Sequence, residues 1–407
     1  MPGRIVKQSP VLSGFVDLPA SKSLSNRALM IRAMCGWGFD IVNLGTAEDT
    51  LHLEKALNFD SRHIFAGDGG TTIRFLTALL CCKQGDWQLS GSPSLSERPI
   101  HVLVDALLSL GARIEYTTKT GFPPLRIHGQ KLKGGKITIQ ADASSQFISA
   151  LLLVAPLMEE GLELTLRGKI VSRSYINMTL KMMAYFGIEY QWEGSRITVT
   201  PQRYMPSNIT IEPDWTAASY FYEMVALCEA GSLQLNHLQH SELQGDSRLP
   251  ELMSKLAVET EFTKQGVLIY PNAGPVARDL SFDLTDNPDL TQTIAFTCAA
   301  LGREVSFEGI DHLRIKETDR LQAIQWELGK IGFGFERNDG IWHIQRKENP
   351  VKLLQFNAYG DHRMVMSLAP LAVRYGQITI DRPEVVNKSF PDFWAQLKRI
   401  GFEIDRR

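Results

Sequence analysis

The chain has 407 residues, of which 44% are hydrophobic and 22% are charged, and its formal net charge at pH 7 is −2. This composition is typical of globular proteins and excludes collagen-like, disulfide-scaffold and intrinsically disordered chains. At about 150 residues per domain, the length indicates two to three domains. The balanced charge provides no basic field for nucleic acid or an anionic membrane surface.

The sequence also lacks the signals of secretion and membrane insertion. The longest apolar run, at 147–158, has twelve residues, whereas a membrane-spanning helix takes about 20. The N-terminal string MPGRIVKQSP lacks the apolar core of a signal peptide. Five cysteines without CxxC spacing indicate reduced thiols, and the nine histidines form no metal-ligand motif. We therefore expect a cytoplasmic protein without a membrane segment or a bound metal.

One pattern recurs along the chain: an Asp, then small or hydroxyl residues, then an apolar helical stretch. An Asp or Ser directly before such a stretch predicts a helix N-cap, because its oxygen accepts a hydrogen bond from an otherwise unpaired backbone N–H. The Asp copies are 72 to 75 residues apart, and a related copy begins at a serine. The six starts are Ser21, Asp68, Asp142, Asp214, Asp289 and Asp361.

Glycine marks a second recurring feature between these starts. Four helical stretches end at a glycine and are followed by an alternating, strand-like stretch, and glycine is the usual residue after a helix C-terminus. Self-similarity at a fixed interval predicts a repeated supersecondary unit. We therefore predict six copies of a mixed α/β unit, three in each of two domains, with a boundary near Pro213. The four glycines are Gly111, Gly187, Gly332 and Gly401.

The helix starts are candidate anion sites, because a helix N-terminus carries partial positive charge and unpaired N–H groups. If the six starts converge, they form an anion-binding cleft between the domains; alternatively, each cap only ends a helix. No GxxxxGK[ST] or GxGxxG motif supports a nucleotide site. The polar or glycine residues at these starts are Lys22, Ser23, Arg27, Gly70, Ser144, Ser145 and Gln146.

Cationic residues recur in short strings elsewhere in the chain. Taken singly, each string is better explained as solvated charge or as a structural ion pair. Together with the helix starts, they indicate a site for a small, highly anionic pair of substrates. These cations are Arg98 in SERPI, Arg314, Lys316 and Arg320 in LRIKETDRL, Arg363 in GDHRM and Lys388 in VNKSFPDFW.

The ordered strings SKSLSNRA, SSQF, KETDR and DHRM resemble the enolpyruvyl transferase family, on its branch that acts on shikimate 3-phosphate. The resemblance covers nearly the whole chain, from residue 18 to residue 394. It implies a mixed α/β fold of two domains, each an inside-out α/β barrel of three βαβαββ repeats. It also implies two chain crossovers, so that residues 22–212 form domain one and residues 1–21 with 213–407 form domain two.

The resemblance implies an activity as well. Members of this branch transfer the enolpyruvyl group of phosphoenolpyruvate to the 5-hydroxyl of shikimate 3-phosphate and release phosphate, on the pathway to chorismate and aromatic amino acids. The implied partners are these two small substrates, with no cofactor, nucleic acid or membrane, and the implied state is a monomer. The resemblance also implies inhibition by glyphosate in competition with phosphoenolpyruvate.

Site residues follow from the resemblance by position. Ser144, Ser145 and Ser172 match residues that hold the shikimate phosphate, whereas Ser23 and Arg27 match residues at the shikimate carboxylate. Other contacts to shikimate 3-phosphate match Lys22, Gln146, Tyr175, Asp289, His312 and Lys316. The implied phosphoenolpyruvate contacts are Lys22, Arg98, Lys388 and the backbone of Gly70 around the phosphate, and Arg320 and Arg363 at the carboxylate, where planar arginine suits bidentate binding. Gln146 is a further implied contact to phosphoenolpyruvate.

Two carboxylates are implied as acid–base groups. Asp289 and Glu317 match these two carboxylates. Our hypothesis is that Asp289 acts on the 5-hydroxyl and Glu317 on carbon 3 of phosphoenolpyruvate, with Lys22 assisting. Addition and elimination need proton transfer in both directions, and two carboxylates in different environments can provide it. Lys388 completes the implied catalytic set, and Asp49 and Arg74 match residues that support the site.

Four positions depart from the family pattern, and two alternatives stay open. His312 and Asp68 stand where Asn is usual, Ala20 where Gly is frequent, and Ser174 where Pro is frequent. A sister enzyme acting on UDP-N-acetylglucosamine would carry Lys-Asn in its first motif and usually a loop cysteine, whereas here Ser23 follows the lysine and SERPIHV has no cysteine. A non-catalytic protein that binds a phosphorylated metabolite would have no need of the acid–base residues.

Overall fold

A computed structural model of the chain describes residues 2–36, 38–142, 144–272, 274, 276, 279–347 and 354–406. The described residues form 14 α-helices and 22 β-strands. The helices are α1 (Lys22–Met34), α2 (Glu48–Leu57), α3 (Gly70–Cys82), α4 (Pro93–Ser96), α5 (His101–Ser109), α6 (Ser145–Val154), α7 (Arg173–Tyr185), α8 (Trp215–Leu227), α9 (Leu249–Ser254), α10 (Thr291–Ala300), α11 (Arg320–Lys330), α12 (His362–Leu368), α13 (Leu371–Tyr375) and α14 (Phe393–Arg399).

The strands are mostly short, from two to seven residues. They are β1 (Gly3–Val6), β2 (Val11–Asp17), β3 (Ile41–Val42), β4 (His63–Phe65), β5 (Gly85–Ser90), β6 (Arg113–Tyr116), β7 (Leu125–Gly129), β8 (Gly135–Gln140), β9 (Leu162–Arg167), β10 (Gln191–Glu193), β11 (Arg196–Val199), β12 (Ile209–Thr210), β13 (Ala230–Asn236), β14 (Val258–Thr263), β15 (Gly266–Pro271), β16 (Leu280–Asp283), β17 (Val305–Glu308), β18 (Phe333–Asn338), β19 (Ile341–Arg346), β20 (Gln355–Phe356), β21 (Gln377–Ile380) and β22 (Glu403–Arg406).

Spatial contacts divide the chain into two compact units. One is Ala20–Ile211, called here the 20–211 unit, and the other is Met1–Pro19 with Glu212–Arg407, called here the 212–407 unit. The sequence predicts two domains, formed by residues 22–212 and by residues 1–21 with 213–407. These domain limits stay a prediction.

In the 20–211 unit, two repeats have the βαβαββ order. Each builds a four-stranded sheet, with strand orders β4-β5-β7-β6 and β8-β9-β11-β10. In both sheets the first two strands in sequence are parallel, and the last two pair antiparallel. A third copy contains α1 and α2, and within the described residues its sheet is reduced to the parallel pair β3 and β12.

The 212–407 unit has three four-stranded sheets, with orders β2-β13-β15-β14, β16-β17-β19-β18 and β20-β21-β1-β22. Each again starts from a parallel pair that is extended by antiparallel strands. The N-terminal strand β1 lies between β21 and β22, and β2 pairs with β13. Residues 1–19 therefore complete two sheets whose other strands come from the C-terminal half. The predicted mixed α/β fold with βαβαββ repeats is confirmed.

Three helices form the centre of the 212–407 unit. Helices α8, α10 and α12 contact one another, and all ten residues of α10 are buried. Ser219, Thr293 and Ser367, one in each helix, follow one another at intervals of 74 residues, and their hydroxyls are joined by hydrogen bonds of 3.1 and 3.2 Å. Buried hydroxyls need such partners, and this set marks the three repeats as equivalent.

The predicted caps are partly right. Gly111, Gly187, Gly332 and Gly401 all follow helices with positive φ of 83 to 96°, as predicted. Asp214 and Asp361 are N-caps whose carboxylates accept from Ala217 N and Arg363 N at 2.9 Å. The prediction is wrong for Asp68, Asp142 and Asp289, because the helices after them begin one or two residues later, with Gly69, Ser144 and Leu290 as N-caps.

Candidate active site

The first predicted site residue of the 20–211 unit lies at the start of α1. Nζ of Lys22 is 3.0 Å from Oδ2 of Asp49, and both side chains are largely buried. Asp49 is the second residue of α2, and its supporting role stays a prediction. The ion pair fixes the position of the ammonium at the helix start.

Arg27 lies one turn further along α1 and is 3% exposed. Its Nε donates to the hydroxyl of Thr179 at 2.8 Å, and Nη2 donates to the hydroxyl of Ser149 at 3.2 Å. Two backbone carbonyls, of Ser23 at 2.9 Å and Tyr175 at 3.2 Å, accept from Nη1 and Nη2. All four partners are uncharged, and burial lowers the pKa of Arg27 to about 10. An anionic ligand would supply the negative charge that this guanidinium lacks in the described structure.

The start of α3 combines a glycine with an arginine. A Cβ atom on Gly70 would lie 2.7 to 2.9 Å from the guanidinium atoms of Arg98. The missing side chain therefore lets the guanidinium approach the helix N-terminus, where backbone N–H groups and the cation favour an anion together. Asp68, two residues earlier, accepts a hydrogen bond from Ser94 at 2.9 Å and another from Ser92. These hydroxyl contacts explain why its carboxylate does not cap the helix.

The start of α6 carries the predicted hydroxyl and amide groups. Ser144 is the N-cap and accepts from the backbone N–H of Gln146 at 3.4 Å, and Ser145 is the first, buried residue of the helix. Arg74 donates to the Gln146 side-chain oxygen, and its guanidinium lies 4.7 Å from the ring centre of Phe147. Arg74 thus orients an amide predicted to touch both substrates.

Ser172 and Tyr175 stand at the start of α7. Ser172 is its N-cap, is 2% exposed, and has a φ of 55°, in the left-handed region that non-glycine residues rarely adopt. Such a conformation persists where the surrounding structure enforces it, often at functional sites. The Tyr175 carbonyl accepts from Arg27, so α7 and α1 are linked at these predicted site residues.

In the 212–407 unit, Arg320 is the centre of a cluster of carboxylates. It is the first residue of α11 and is 1% exposed. Its guanidinium donates to Asp289 Oδ1 at 2.9 Å, Glu317 Oε2 at 2.8 Å and Asp361 Oδ2 at 2.7 Å. Burial by itself lowers the pKa of Arg320, but the carboxylates of Asp361, Glu317 and Asp289 outweigh burial and raise it. Both predicted acid–base carboxylates therefore share one fixed cation.

Arg363 joins the same cluster from α12. Its Nη2 donates to Asp289 Oδ2 at 2.8 Å, and its backbone N–H donates to the N-cap carboxylate of Asp361 at 2.9 Å. The hydroxyl of Tyr220 accepts from Arg363 at 3.4 Å. Asp289 thus receives hydrogen bonds from both arginines predicted to clamp the phosphoenolpyruvate carboxylate, and this pairing explains why Asp289 is not a helix cap.

The remaining predicted residues of this unit lie in turns. His312 is half-buried in the turn Asp311–Ile315, and Lys316 is the first residue after this turn. Burial, with smaller contributions from Lys316 and Arg320, lowers the pKa of His312 to about 3, so its imidazole is neutral near pH 7. Nζ of Lys388, at the end of the turn Pro383–Lys388, donates to the Gly360 carbonyl at 3.4 Å.

Asp246 was not predicted as a site residue from the sequence. This carboxylate is 5% exposed, and it accepts from Thr216 at 2.5 Å and from the Asn287 side chain at 3.0 Å. Burial, and next the charge of Asp289, raise its pKa to about 6. An aspartate in the string QGDSR carries no periodic or motif signal, so its proximity to Asp289 becomes visible only in the fold.

Within the ranges given above, no group of three or more His, Cys, Asp or Glu side chains could hold a metal ion. Every helix in the same ranges is too short or too polar to span a bilayer.

Solved structures share this fold over the whole chain. EPSP synthase from Acinetobacter baumannii matches with a TM-score of 0.78 and 22% identity, covering 100% of both chains. The enolpyruvyl transferase NikO from Streptomyces tendae matches with a TM-score of 0.74 and 14% identity, covering 99% of this chain and 98% of that one. The fold is therefore that of the enolpyruvyl transferases, as the resemblance implied.

Within the proteins of this fold, similarity of sequence identifies the family of the chain. A family model described as EPSP synthase (3-phosphoshikimate 1-carboxyvinyltransferase) matches residues 58–397. A 3-phosphoshikimate 1-carboxyvinyltransferase of Bacteroides fragilis is 44% identical over 393 residues, which cover 96% of this chain and 95% of that protein. The Vibrio cholerae protein of the same name is 34% identical, covering 96% and 98%. The chain belongs to the EPSP synthase family.

Proposed function

We propose that the chain is a 3-phosphoshikimate 1-carboxyvinyltransferase, which transfers the enolpyruvyl group of phosphoenolpyruvate to the 5-hydroxyl of shikimate 3-phosphate and releases phosphate. Its family supports this activity. The structural observation that carries it is the cluster around Arg320, where Asp289 and Glu317 share one buried guanidinium at 2.9 and 2.8 Å.

The two carboxylates stand in different surroundings. Asp289 accepts from both Arg320 and Arg363, which suits an ionised group able to take the proton of the attacking 5-hydroxyl. Glu317 accepts from Arg320 and is 22% exposed, which suits a group that exchanges a proton with carbon 3. Addition joins the 5-oxygen to carbon 2 and a proton to carbon 3. Elimination then removes a proton from carbon 3 and breaks the carbon–oxygen bond to phosphate.

In this proposal, residues of the 20–211 unit bind the phosphate and the carboxylate of shikimate 3-phosphate, and residues of both units contact its ring. Ser144, Ser145 and Ser172 hold its phosphate at the starts of α6 and α7, and Ser23 and Arg27 hold its carboxylate. Charge favours this assignment, because Arg27 is buried among uncharged acceptors. Side chains assigned to the ring and its substituents are Lys22, Gln146, Tyr175, Asp289, His312 and Lys316.

Phosphoenolpyruvate takes a second set of contacts in the proposal. Lys22, Arg98 and the backbone N–H of Gly70 bind its phosphate at the starts of α1 and α3. In the 212–407 unit, Arg320 and Arg363 bind the carboxylate of phosphoenolpyruvate. Lys388 is a further cation at its phosphate. Two substrates that together carry roughly four to six negative charges near pH 7 need such a set of cations.

We further propose that the protein acts in the cytoplasm as a monomer, without nucleic acid or a cofactor, and that residues 22–212 and 1–21 with 213–407 are its two domains. Light scattering of the purified protein at micromolar concentration tests the monomer. A mass near twice 45.6 kDa would contradict it.

The activity is tested by phosphate release from purified protein, given each substrate alone and both together. We expect release only with both substrates, and formation of the enolpyruvyl ether. Lys22→Met should abolish release, whereas the control Lys136→Met, at an exposed ion pair with Glu163, should leave it unchanged. Release with UDP-N-acetylglucosamine instead of shikimate 3-phosphate, or no release by a folded protein that binds shikimate 3-phosphate, would contradict the proposal.

A further inference from the structure

A second buried hub lies on α11, two helical turns beyond Arg320. Glu327 is 0% exposed, and residues seven apart lie on one face of a helix. Its Oε1 accepts from the Tyr359 hydroxyl at 2.5 Å, and its Oε2 accepts from the backbone N–H of Asn357 at 3.1 Å and from Nζ of Lys330 at 2.7 Å. A buried carboxylate with three donors is a fixed anchor rather than a surface charge.

Two buried side chains of α11, the acceptor Glu327 and the donor Arg320, hold both ends of one short segment, residues 357–361. Glu327 binds the segment at Asn357 and Tyr359, and Arg320 binds its last residue, Asp361, at 2.7 Å. The backbone N–H of Ala358, between them, donates to the Asp381 carboxylate. The segment is therefore fixed at four of its five residues.

This segment positions two groups of the proposed site. The Gly360 carbonyl accepts from Nζ of Lys388 at 3.4 Å, and Asp361 caps α12, which carries Arg363. Tyr359 itself has a φ of 55°, in the left-handed region where a tyrosine is strained. The hydroxyl contact to Glu327 opposes relaxation of this strain, together with packing of the ring against Trp326, whose ring centre is 5.5 Å away, and against the hydrophobic core of the unit.

We infer that Glu327 and Tyr359 are positioning residues, which hold the segment 357–361 so that the Gly360 carbonyl and Asp361 place Lys388 and Arg363 for phosphoenolpyruvate. The inference rests on the proposed function, since it uses the contacts proposed for Lys388 and Arg363. The two residues touch no substrate in this account. Their effect reaches the site through the backbone of one five-residue segment.

The test compares steady-state kinetics of Tyr359→Phe, Glu327→Gln and the intact protein. Tyr359→Phe keeps the ring and removes only the hydroxyl, and we expect the KM for phosphoenolpyruvate to rise roughly tenfold, because a hydrogen bond to a charged group is lost. The KM for shikimate 3-phosphate should change less than about twofold. Glu327→Gln keeps the side-chain shape and should raise the same KM in the same selective way.

The matched control is Tyr222→Phe, in the same unit. Tyr222 is buried, and its hydroxyl is hydrogen-bonded to Thr260 at 3.0 Å, away from the segment 357–361. This control should lower thermal stability and leave both KM values unchanged, since a loss of folded protein lowers the rate without altering KM. It separates a positioning effect from a stability effect.

Two results would overturn the inference: an unchanged KM for phosphoenolpyruvate, whether or not the rate falls, or an equal rise in both KM values. Its failure is distinguishable from failure of the proposed function. The proposed function fails if the intact protein does not turn over the two substrates, whereas the inference is judged from ratios against an active intact protein.

Discussion

Two buried arginines of the proposed site, one in each unit, have opposite electrostatic surroundings. Arg27 of the 20–211 unit donates to two hydroxyls and two carbonyls, and burial lowers its pKa to about 10. Arg320 of the 212–407 unit faces three carboxylates, which raise its pKa in spite of burial. Both side chains are at most 3% exposed, so the difference comes from their partners.

This contrast indicates a division of work. An arginine among uncharged partners gains a counter-ion when an anionic substrate binds, so its main contribution is affinity. An arginine that already pairs with three carboxylates orients them, so its main contribution is the geometry of proton transfer. On this view the 20–211 unit captures shikimate 3-phosphate and the cluster around Arg320 carries out the chemistry.

The largest effect is expected from breaking the carboxylate cluster. Arg320→Met removes the cation shared by Asp289, Glu317 and Asp361, and removing one partner of a buried ion pair costs about 3–5 kcal/mol. We expect turnover to fall by roughly a thousandfold or more, because both proposed acid–base groups lose their orientation. Turnover and chemical denaturation measure the two effects.

Arg337→Met is the control for that change, since Arg337 pairs with Asp311 at 2.9 Å on the surface. It should alter stability by less than about 1 kcal/mol and leave turnover intact. Normal turnover in folded Arg320→Met protein would contradict the role given to the cluster.

The next effect concerns the cation that approaches the start of α3. A methyl group at Gly70 would meet the Arg98 guanidinium at 2.7 to 2.9 Å and displace it. We expect glyphosate to compete with phosphoenolpyruvate in the intact protein, and Gly70→Ala to raise the inhibition constant about tenfold or more, as overpacking by a methyl group does. Gly329→Ala, whose added Cβ would lie at an ordinary 3.6 Å from Lys347, is the control. An unchanged inhibition constant in Gly70→Ala would contradict the proposed contact between Gly70 and the phosphate of phosphoenolpyruvate.

A smaller effect is expected at Asp246, a buried carboxyl of the 212–407 unit, on the pH dependence of stability. Burial and Asp289 raise the pKa of Asp246 from 3.8 to about 6. A raised carboxyl pKa stabilises the folded state at low pH, and this stability is lost as the pH rises through 6, because the unfolded chain ionises first. Between pH 4.5 and 8 the free energy of unfolding should therefore fall by about 2 kcal/mol more in the intact protein than in Asp246→Asn.

Urea denaturation at the two pH values measures that difference, with the exposed Asp60→Asn as the control. Asp60→Asn should follow the intact protein. If Asp246→Asn shows the same pH dependence as the intact protein, Asp246 does not carry the raised pKa.

The smallest effect is expected at His312, which stands where Asn is usual in the family. Burial lowers the pKa of His312 to about 3, so the imidazole stays neutral from pH 5 upward. His312→Asn should therefore change the rate by less than about threefold, with the same pH profile between pH 5.5 and 8. A rate inflection near pH 6.5 that disappears in His312→Asn would contradict the lowered pKa.

The sequence predicted the repeated fold well, because its signals are local. The four glycines that end helices need positive φ, which glycine adopts at little cost, and their spacing reveals the repeat. Even Ala257, with a φ of 60°, stands at the same position in a copy that lacks the glycine. That the N-terminal residues join the C-terminal half of the chain was predicted only through the family resemblance.

Predictions from neighbouring residues failed where a side chain pairs with residues that are distant in the sequence. Asp289 was predicted as a helix cap, yet its carboxylate accepts from Arg320 and Arg363, 31 and 74 residues away. Asp246 and Glu327 carry no local signal, because their significance comes from burial and from partners on other elements. The substrate contacts of the proposed site stay predictions for the same reason.

The division of work is tested most directly by calorimetric titration of shikimate 3-phosphate into two folded variants, Arg27→Met and Glu317→Gln. We predict that Arg27→Met weakens binding about 30-fold or more, since a charge-assisted contact to the carboxylate is lost. Glu317→Gln should bind within about threefold of the intact protein and yet release little phosphate. Unchanged affinity in Arg27→Met, or equally weakened binding in Glu317→Gln, would contradict the account.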